Sequence, residues 1–558
     1  MRSLSNKFIN ITTQFQKYLK LIDIFIFLCI ITFAYFFNFF AGQRGFFPFD
    51  QSIVFDGSYR VFTGQIPFKD FVIPFGPMTF WFQGSIFKLF GVSYASYIFG
   101  AALTNALVAG ICFWILRIIF PENKLVAWLG SSVTAIWFYP PFGTPWPEQT
   151  AFFFAFAALL GTMLGLLDHK LSRKWQRGLF FASGIVAFGA FISKQNAGAF
   201  IVPVFALLFI FPNIEDIRKG VIDFIIFSWG WFVGLISFAI WLALQSDISL
   251  FFRYFFEIPA QEVSVFRLPE SFMEWMNSIF VGEAPISIIV LSLLSSLIAI
   301  IVILYDKNTE TSPHRVIAAV LAPSLFLYHN VYLITSNNQP ENALPFIGVI
   351  SAIGFGLLSP GKERSRSSPN LSAMITPTMK LITGGIVTLL IAIVSLYGLN
   401  VSCSRQVHNI FSNSVFGHQL TSENLAALSW AVPTRVGNLI PVEDVNNIVN
   451  YLKTQGENFF VFPDFTILYG TLGVQPPQPL LWFHSGLTYS KTYDPMLDAW
   501  IVSALQEHQV RIIIVEEQSW FHTDRILEDF PQLSSFIDEK FVYQQRFGNF
   551  LIYIIQNQ

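Results

Sequence analysis

Five carboxylates, each in a loop or at the end of an apolar run, are the strongest candidates for chemistry in this 558-residue chain. They are Asp50, Asp56, Asp70, Glu148 and Glu341. A carboxylate held beside a reacting hydroxyl can accept its proton, a contribution of ~10²–10⁴-fold to a rate. Cations in comparable positions could offset negative charge on a leaving group. These cations are Arg60, Lys69 and Lys194.

The composition assigns these residues to a membrane protein. The chain is 53% hydrophobic and only 12% charged, and its mean hydropathy is +0.55. Soluble proteins carry about 25% charged residues, so most of this chain must face lipid or other apolar helices. The net charge of −2 and the lack of a basic stripe exclude nucleic acid as a partner. Three widely separated cysteines indicate neither a disulfide framework nor a cysteine metal site.

Apolar runs long enough to cross the ~30 Å hydrocarbon layer as helices predict about eleven transmembrane segments. They lie at about 23–42, 94–118, 125–141, 149–167, 178–194, 197–213, 220–245, 284–305, 315–335, 342–359 and 381–399. Lys and Arg concentrate in the alternate loops that share a side with the N-terminus, which predicts a cytoplasmic N-terminus. The basic residues before the first run, without a small-residue cleavage site, favour a retained anchor. An odd number of crossings then leaves everything after residue 400 outside the membrane.

The chain is predicted to have two domains. Residues 1–400 form the transmembrane domain, with a large first outer loop at 43–93 that carries short interfacial helices near 51–63 and 77–91. Residues 401–558 form an extracytoplasmic α/β domain, because charges return there and helix-like stretches precede the buried runs 459–462 and 511–515. The predicted fold class is therefore a multi-pass α-helical membrane protein with a C-terminal extracytoplasmic α/β domain. A closing pair of strands is expected at 541–555.

The first outer loop resembles that of the GT-C glycosyltransferases, in particular the bacterial relatives of protein O-mannosyltransferases and of the lipid A aminoarabinose transferase. In those enzymes an Asp follows the first transmembrane helix, a Gly-x-x-Pro-aromatic-basic-Asp-Phe element follows about twenty residues later, and a Gly-Pro pair precedes a second interfacial helix. The matching residues here are Asp50, Gly64, Pro67, Phe68, Lys69, Asp70, Phe71, Gly76 and Pro77. The resemblance continues more weakly at Pro147-Glu148, Lys194-Gln195 and Pro340-Glu341-Asn342. One departure is Gln51, where many relatives have a second acidic residue.

The resemblance implies a polyprenyl-phosphate-linked sugar donor and a glycan, lipid or protein acceptor at the outer face of a bacterial cytoplasmic membrane. Asp50 would be the general base, and in-line attack would invert the anomeric carbon. The residues expected to bind substrate are Asp56, Arg60, Lys69, Asp70, Glu148, Lys194, Gln195 and Glu341. A divalent cation is possible as a cofactor, but the sequence requires none. No P-loop or Asp-x-Asp run is present for a nucleotide sugar.

Other interpretations remain open at this point. The chain could be a transporter or flippase of lipid-linked glycans, which would be expected to place ionisable residues near mid-membrane. It could also be a relative that has lost catalysis and serves as a scaffold. Asp50 could cap a helix beginning near Ser52, and Asp56 could be solvated. Asp70 could be a turn residue paired with an Arg, and Lys194 could only extend to the lipid head groups.

Overall fold

The computed structural model describes ten stretches of the chain. They are residues 2–139, 143–168, 170–262, 286–305, 313–336, 345–358, 377–404, 415–432, 440–519 and 522–556.

Helices dominate the first 404 residues. Their bounds are α1 Arg2–Gly42, α2 Pro48–Thr63, α3 Met78–Phe90, α4 Tyr94–Ile119, α5 Lys124–Trp137, α6 Pro147–Leu167, α7 Arg173–Phe191, α8 Gln195–Ile210, α9 Ile217–Gln245, α10 Ile248–Phe252, α11 Ile258–Glu262, α12 Ile286–Tyr305, α13 Pro313–Ser336, α14 Ile347–Leu358 and α15 Pro377–Ser404. A 3-10 turn at Phe211–Asp216 joins α8 to α9, and a π-helical turn at Arg253–Glu257 joins α10 to α11.

Six segments among the described residues are long and apolar enough to cross a membrane, which identifies a multi-pass membrane protein. They are Leu21–Gly42, Tyr94–Ile119, Pro147–Leu167, Gln195–Gln245, Pro313–Ser336 and Leu381–Cys403. A helix occurs in every one of the predicted apolar runs, but α14 has only 12 residues and spans about 18 Å. The count of about eleven crossings therefore stays a prediction.

The predicted interfacial helices of the first loop are confirmed as helices. The prediction of 51–63 corresponds to α2, and that of 77–91 corresponds to α3. The two helices pack against each other at a close approach, because a Cβ on Gly57 would lie 2.5 Å from the ring of Phe80. Any larger residue at position 57 would therefore require the Phe80 ring to shift.

The segment after residue 415 contains two small sheets. A two-stranded antiparallel sheet consists of β1 Val415–Gln419 and β2 Ser429–Val432. A four-stranded sheet has the order β3-β4-β6-β5, with β3 Phe459–Phe462 parallel to β4 Ile512–Glu516 and the remaining pairs antiparallel. The hairpin β5 Phe541–Phe547 and β6 Phe550–Ile555 confirms the expected closing strands. Strands β3 and β4 are completely buried, as expected for the apolar runs that form a parallel pair.

Five helices cover this sheet or connect its strands: α16 Val442–Gln455, α17 Ile467–Leu472, α18 Pro495–Glu507, α19 Thr523–Glu528 and α20 Pro531–Lys540. A parallel strand pair requires a crossover connection, and the one between β3 and β4 contains α17 and α18.

Two hydrophobic cores organise the described residues. The first core lies among the long helices from α1 to α15. The second core contains first-loop residues such as Phe55 and Phe71 together with sheet residues such as Phe462 and Ile513. The first loop and the C-terminal segment therefore share one core, although the predicted domain boundary at residue 400 separates them in sequence.

Candidate functional site

Asp50 lies in the first turn of α2. Pro48 occupies the first helical turn, where its missing N–H costs no intrahelical hydrogen bond, and a carboxylate near the helix N-terminus interacts favourably with the helix dipole. Phe47 is the N-cap residue, so the alternative that Asp50 caps a helix beginning near Ser52 is wrong. The Asp50 side chain is partly exposed and makes no hydrogen bond or ion pair with the residues that the structure describes.

The surroundings of Asp50 move its ionisation towards neutral pH. Burial among protein groups, and to a smaller extent the negative charge of Glu148, raise the pKa of Asp50 from 3.8 to about 7. A carboxylate with a pKa near the working pH is suited to general base catalysis, since it accepts a proton readily and still ionises.

Gln51 explains the departure from the motif of the relatives. Its side chain is 1% exposed, and its Oε1 accepts a 2.6 Å hydrogen bond from the backbone N–H of Phe47. Its Nε2 lies 3.4 Å from the hydroxyl of Tyr94, and the hydroxyl of Tyr97 donates to its backbone carbonyl at 3.0 Å. The uncharged Gln51 side chain therefore holds the first turn of α2 in place through hydrogen bonds. An acidic side chain at this buried position would place an additional charge beside Asp50.

Glu148 and Lys194 form an ion pair close to Asp50. The Lys194 Nζ lies 3.1 Å from the Glu148 Oε1, and the two side chains are 22% and 5% exposed. Glu148 is in the first turn of α6 behind Pro147, and Lys194 is the N-cap residue of α8. Two neighbouring helix starts therefore bring one carboxylate and one ammonium group together. The Lys194 Nζ also lies 5.9 Å from the centre of the Phe75 ring, within the distance of a cation–π contact.

The loop before α3 is held against the turn between α7 and α8. A Cβ on Gly76 would lie 1.8 Å from the Ile192 carbonyl oxygen, and the Met78 N–H donates to that oxygen at 3.2 Å. The Gln195 Nε2 donates to the carbonyls of Pro74 at 3.0 Å and Phe255 at 2.9 Å. The Gly76-Pro77 pair is therefore a packing device that brings the first loop onto the Lys194 turn.

Asp56 and Arg60 form a completely buried ion pair. The Arg60 Nε lies 3.0 Å from the Asp56 Oδ2, and both side chains are 0% exposed. The Arg60 Nη1 donates a 2.7 Å hydrogen bond to the carbonyl oxygen of Gln478, and its guanidinium carbon lies 5.4 Å from the centre of the Phe71 ring. The alternative that Asp56 is solvated is wrong, because its side chain is 0% exposed. Complete burial against protein groups favours a structural role for both residues over direct contact with substrate.

Lys69 and Asp70 lie at the exposed tip of a turn. The Asp70 Oδ2 accepts a 2.7 Å hydrogen bond from the Ile66 N–H, which confirms the interpretation of Asp70 as a turn residue. Among the described ion pairs, Asp70 has no Arg partner. The turn is fixed to the end of α9, where the Ser246 hydroxyl donates to the Pro67 carbonyl at 2.6 Å.

Two further predictions from the sequence concern Glu341 and a divalent cation. Glu341 lies outside the described residues. Within the described stretches, no group of three or more His, Cys, Asp or Glu side chains could hold a metal ion, and the question of a divalent cofactor stays open.

Residues 478–484 of the C-terminal segment border the candidate site. The sequence did not predict this contact. Trp482 stacks on Phe75 with ring centres 6.1 Å apart, and Phe75 is the ring beneath Lys194. The ring of His484 lies 6.2 Å from that of Phe49, the neighbour of Asp50. No local signal could have identified these residues, because their partners lie about 400 positions earlier in the chain.

A cavity of about 120 Å³ also occurs in the C-terminal segment. It is lined by residues within 489–497 and 528–531, and none of the predicted site residues is among them.

No family model and no curated protein matches the chain. Among solved structures, it is similar to an Archaeoglobus fulgidus oligosaccharyltransferase tethered to an acceptor peptide with the NVT sequon. The identity is 9% and the TM-score 0.46, over 95% of this chain and 74% of that chain. It is also similar to ArnT from Cupriavidus metallidurans, solved in the apo state and bound to undecaprenyl phosphate. There the identity is 12% and the TM-score 0.42, over 96% of this chain and 99% of that chain. These values are too low to assign a role to any residue.

Proposed function

We propose that this chain is a GT-C-type glycosyltransferase that moves a monosaccharide from a polyprenyl-phosphate carrier to an acceptor hydroxyl. In the proposal, the reaction takes place at the outer face of the bacterial cytoplasmic membrane, with the N-terminus in the cytoplasm and residues 401–558 outside. The charge distribution of the loops supports this orientation, and the motif around Asp50 supports the reaction class.

The proposal depends on three properties of Asp50: its exposure, its hydrogen bonding and its pKa. Its carboxylate is partly exposed, has no hydrogen-bond partner among the described residues and has a pKa of about 7. The carboxylates of Asp56 and Asp70, by contrast, are engaged by protein groups. Asp50 is instead available to accept a proton from an incoming molecule.

The proposed transfer is a single displacement. The acceptor oxygen forms a bond to the anomeric carbon while the bond from that carbon to the phosphate oxygen breaks. The electron pair of the broken bond leaves with the polyprenyl phosphate, and the acceptor proton goes to the Asp50 carboxylate. The anomeric configuration inverts because attack and departure occur on opposite faces. The leaving phosphate needs no strong acid, so one base suffices.

Lys194 is the proposed partner of the leaving phosphate. Its Nζ is held by Glu148 at 3.1 Å but remains 22% exposed, so an incoming phosphate could share this ammonium group. An ammonium group aimed at the developing charge stabilises the transition state more than the ground state. Gln195 adds a possible contact for a sugar hydroxyl, since its Oε1 is buried and unpaired within the described part of the chain.

Two buried ionisable groups of the helical part, His329 and Asp223, favour an enzyme over a transporter. The His329 Nε2 accepts a hydrogen bond from the Phe346 N–H at 3.3 Å. The Asp223 carboxylate is 1% exposed and pairs with Arg173 at 2.5 Å. Both groups are engaged by protein partners, whereas a substrate path across the membrane needs ionisable groups that face the cargo.

The test is a transfer assay on the full chain in proteoliposomes. Radiolabelled polyprenyl-phosphate hexoses serve as donors, and cell-envelope lipids and glycans serve as acceptors. We expect label to become covalently attached to an acceptor in the wild type but not in Asp50→Asn. Asp538→Asn is the matched control, because Asp538 is an exposed carboxylate on α20. Movement of intact lipid-linked sugar across the bilayer without bond formation would support the transporter instead.

A further inference from the structure

The Asp56–Arg60 pair cannot touch substrate directly, because both side chains are 0% exposed. It is also an incompletely satisfied pair, since the Asp56 Oδ1 and the Arg60 Nη2 are buried without a hydrogen-bond partner in the described stretches. Burying two charges is expensive, and an apolar pair of similar volume is often at least as stable. The pair is therefore poorly explained as a device for stability alone.

The C-terminal segment holds both ends of α2, the helix that carries Asp50. Before α2, Ser429 of β2 forms backbone hydrogen bonds with Gln43 at 2.7 Å and Gly45 at 2.9 Å. At the last turn of α2, Arg60 donates to the Gln478 carbonyl at 2.7 Å. Both ends of the helix are thus connected to residues that lie more than 380 positions later.

Further contacts extend this attachment beyond α2. The Gln65 Nε2 donates to the Pro476 carbonyl at 3.1 Å, and the Val72 N–H donates to the Pro479 carbonyl at 2.9 Å. Val72 also forms a parallel β-bridge with Leu480. The segment 476–480 is therefore hydrogen-bonded to the first loop at three positions.

Gln478 connects Arg60 to the core of the C-terminal segment. Its Oε1 accepts a 2.8 Å hydrogen bond from the Tyr469 hydroxyl, and that hydroxyl accepts a 2.9 Å bond from the Val461 N–H in β3. A continuous series of hydrogen bonds thus runs from Asp56 through Arg60 and Gln478 to the sheet.

We propose that Asp56 and Arg60 are positioning residues, which fix the orientation of Asp50 by locking α2 to segment 476–480. The inference rests on the proposed function. It makes the C-terminal segment a structural part of the catalytic site. A small displacement of a catalytic base, of about 1 Å, can lower a rate on the order of 100-fold.

The first test replaces both charges by apolar side chains of similar size, Asp56→Leu together with Arg60→Met, so that no buried charge is left unpaired. We expect a folded protein whose kcat falls on the order of 100-fold while its KM for the polyprenyl-phosphate donor stays within twofold. The matched control is Arg173→Met with Asp223→Leu, which removes an ion pair between α7 and α9 and should leave kcat unchanged. A folded Asp56/Arg60 double variant with wild-type kcat overturns the proposal.

The second test restores the attachment by another bond. Val72→Cys and Leu480→Cys, placed on the β-bridge pair, should form a disulfide that recovers at least tenfold in kcat in the double variant. Reduction should remove this recovery, and the cysteine pair alone should be active in both redox states. A disulfide that forms, as verified by mass spectrometry, without recovery of kcat overturns the coupling.

A third readout does not depend on activity. In a chain with Cys29, Cys112 and Cys403 replaced by Ser, the alkylation rate of Asp50→Cys reports its exposure and orientation. We expect this rate to change several-fold when Asp56→Leu and Arg60→Met are added, and an identical rate contradicts the proposal. If the wild type transfers no sugar, the proposed function fails while this measurement still decides the coupling.

Discussion

The Arg60 guanidinium donates a 2.7 Å hydrogen bond to the backbone carbonyl of Gln478, which lies 418 positions later in the chain. The same guanidinium pairs with Asp56 on the helix that carries Asp50. The first outer loop, which follows α1, is therefore hydrogen-bonded to segment 476–480 near the C-terminus. The candidate base consequently rests on a surface to which both parts of the chain contribute.

The pH dependence of transfer should report the ionisation of Asp50. Only the ionised carboxylate can accept a proton, and the pKa of about 7 means that this form becomes dominant as the pH rises through 7. We therefore expect kcat/KM to rise between about pH 6 and pH 8 and then to level off. A rate that is flat over this range would show that no group with the pKa of Asp50 controls the reaction.

Neutralising Glu148 or Lys194, the two charged neighbours of Asp50, should shift the ascending limb of the pH profile of kcat/KM in opposite directions. Glu148→Gln removes a negative charge that raises the pKa of Asp50, so the limb should shift to lower pH. Lys194→Met leaves Glu148 without its ammonium partner, so the limb should shift to higher pH. The plateau rate is expected to fall in both variants. Shifts of the same sign would contradict the electrostatic coupling of the three groups.

The buried Asp56–Arg60 pair should show a large difference between single and double replacement. Arg60→Met leaves a buried carboxylate unpaired, and we expect this variant to lose roughly 3–5 kcal/mol of stability. Asp56→Leu with Arg60→Met should lose much less, because neither charge remains. Thermal unfolding of the detergent-solubilised proteins measures the difference. Equal losses in the single and the double variant would show that the pair is not coupled.

Gly76 should tolerate no side chain. A Cβ there would lie 1.8 Å from the Ile192 carbonyl oxygen, which is backbone and cannot move cheaply. We expect Gly76→Ala to lower stability by about 1–3 kcal/mol and to lower activity, since it displaces the loop from the Lys194 turn. Gly178→Ala is the control, because nothing lies within 4 Å of a Cβ on Gly178 in α7. Wild-type stability and activity in Gly76→Ala would contradict the close approach.

The helices and strands could be predicted largely from sequence because their signals are local. In lipid a chain must satisfy its backbone hydrogen bonds internally, so the apolar runs had to become helices. The buried runs around Phe460 and Ile513 likewise became the parallel strands β3 and β4. The sequence also indicated the separation of α7 from α8, since Lys194 interrupts the apolar pattern and the structure has a turn there.

The surroundings of the site residues could not be predicted in the same way. An Asp and an Arg four positions apart on a helix have the same pattern whether they face water or protein. For Asp56 and Arg60 the outcome depends on Gln478, which no spacing rule connects to them. The packing of Gly76 on Ile192 and of Trp482 on Phe75 is equally non-local. Asp50 was identified through the family resemblance, while its lack of a hydrogen-bond partner within the described ranges is a structural observation.

Transfer by Asp50→Asn, compared with the wild type and with Asp538→Asn, is the most direct measurement of the central claim. The amide keeps the shape of the side chain but cannot accept the acceptor proton, so we expect transfer to fall by ~10²–10⁴-fold. Folding should not suffer, because a pKa raised from 3.8 to about 7 makes the folded protein progressively less stable as the pH rises between these two values, and the amide removes this penalty. A folded Asp50→Asn protein with full transfer activity would contradict the assignment of Asp50 as the base.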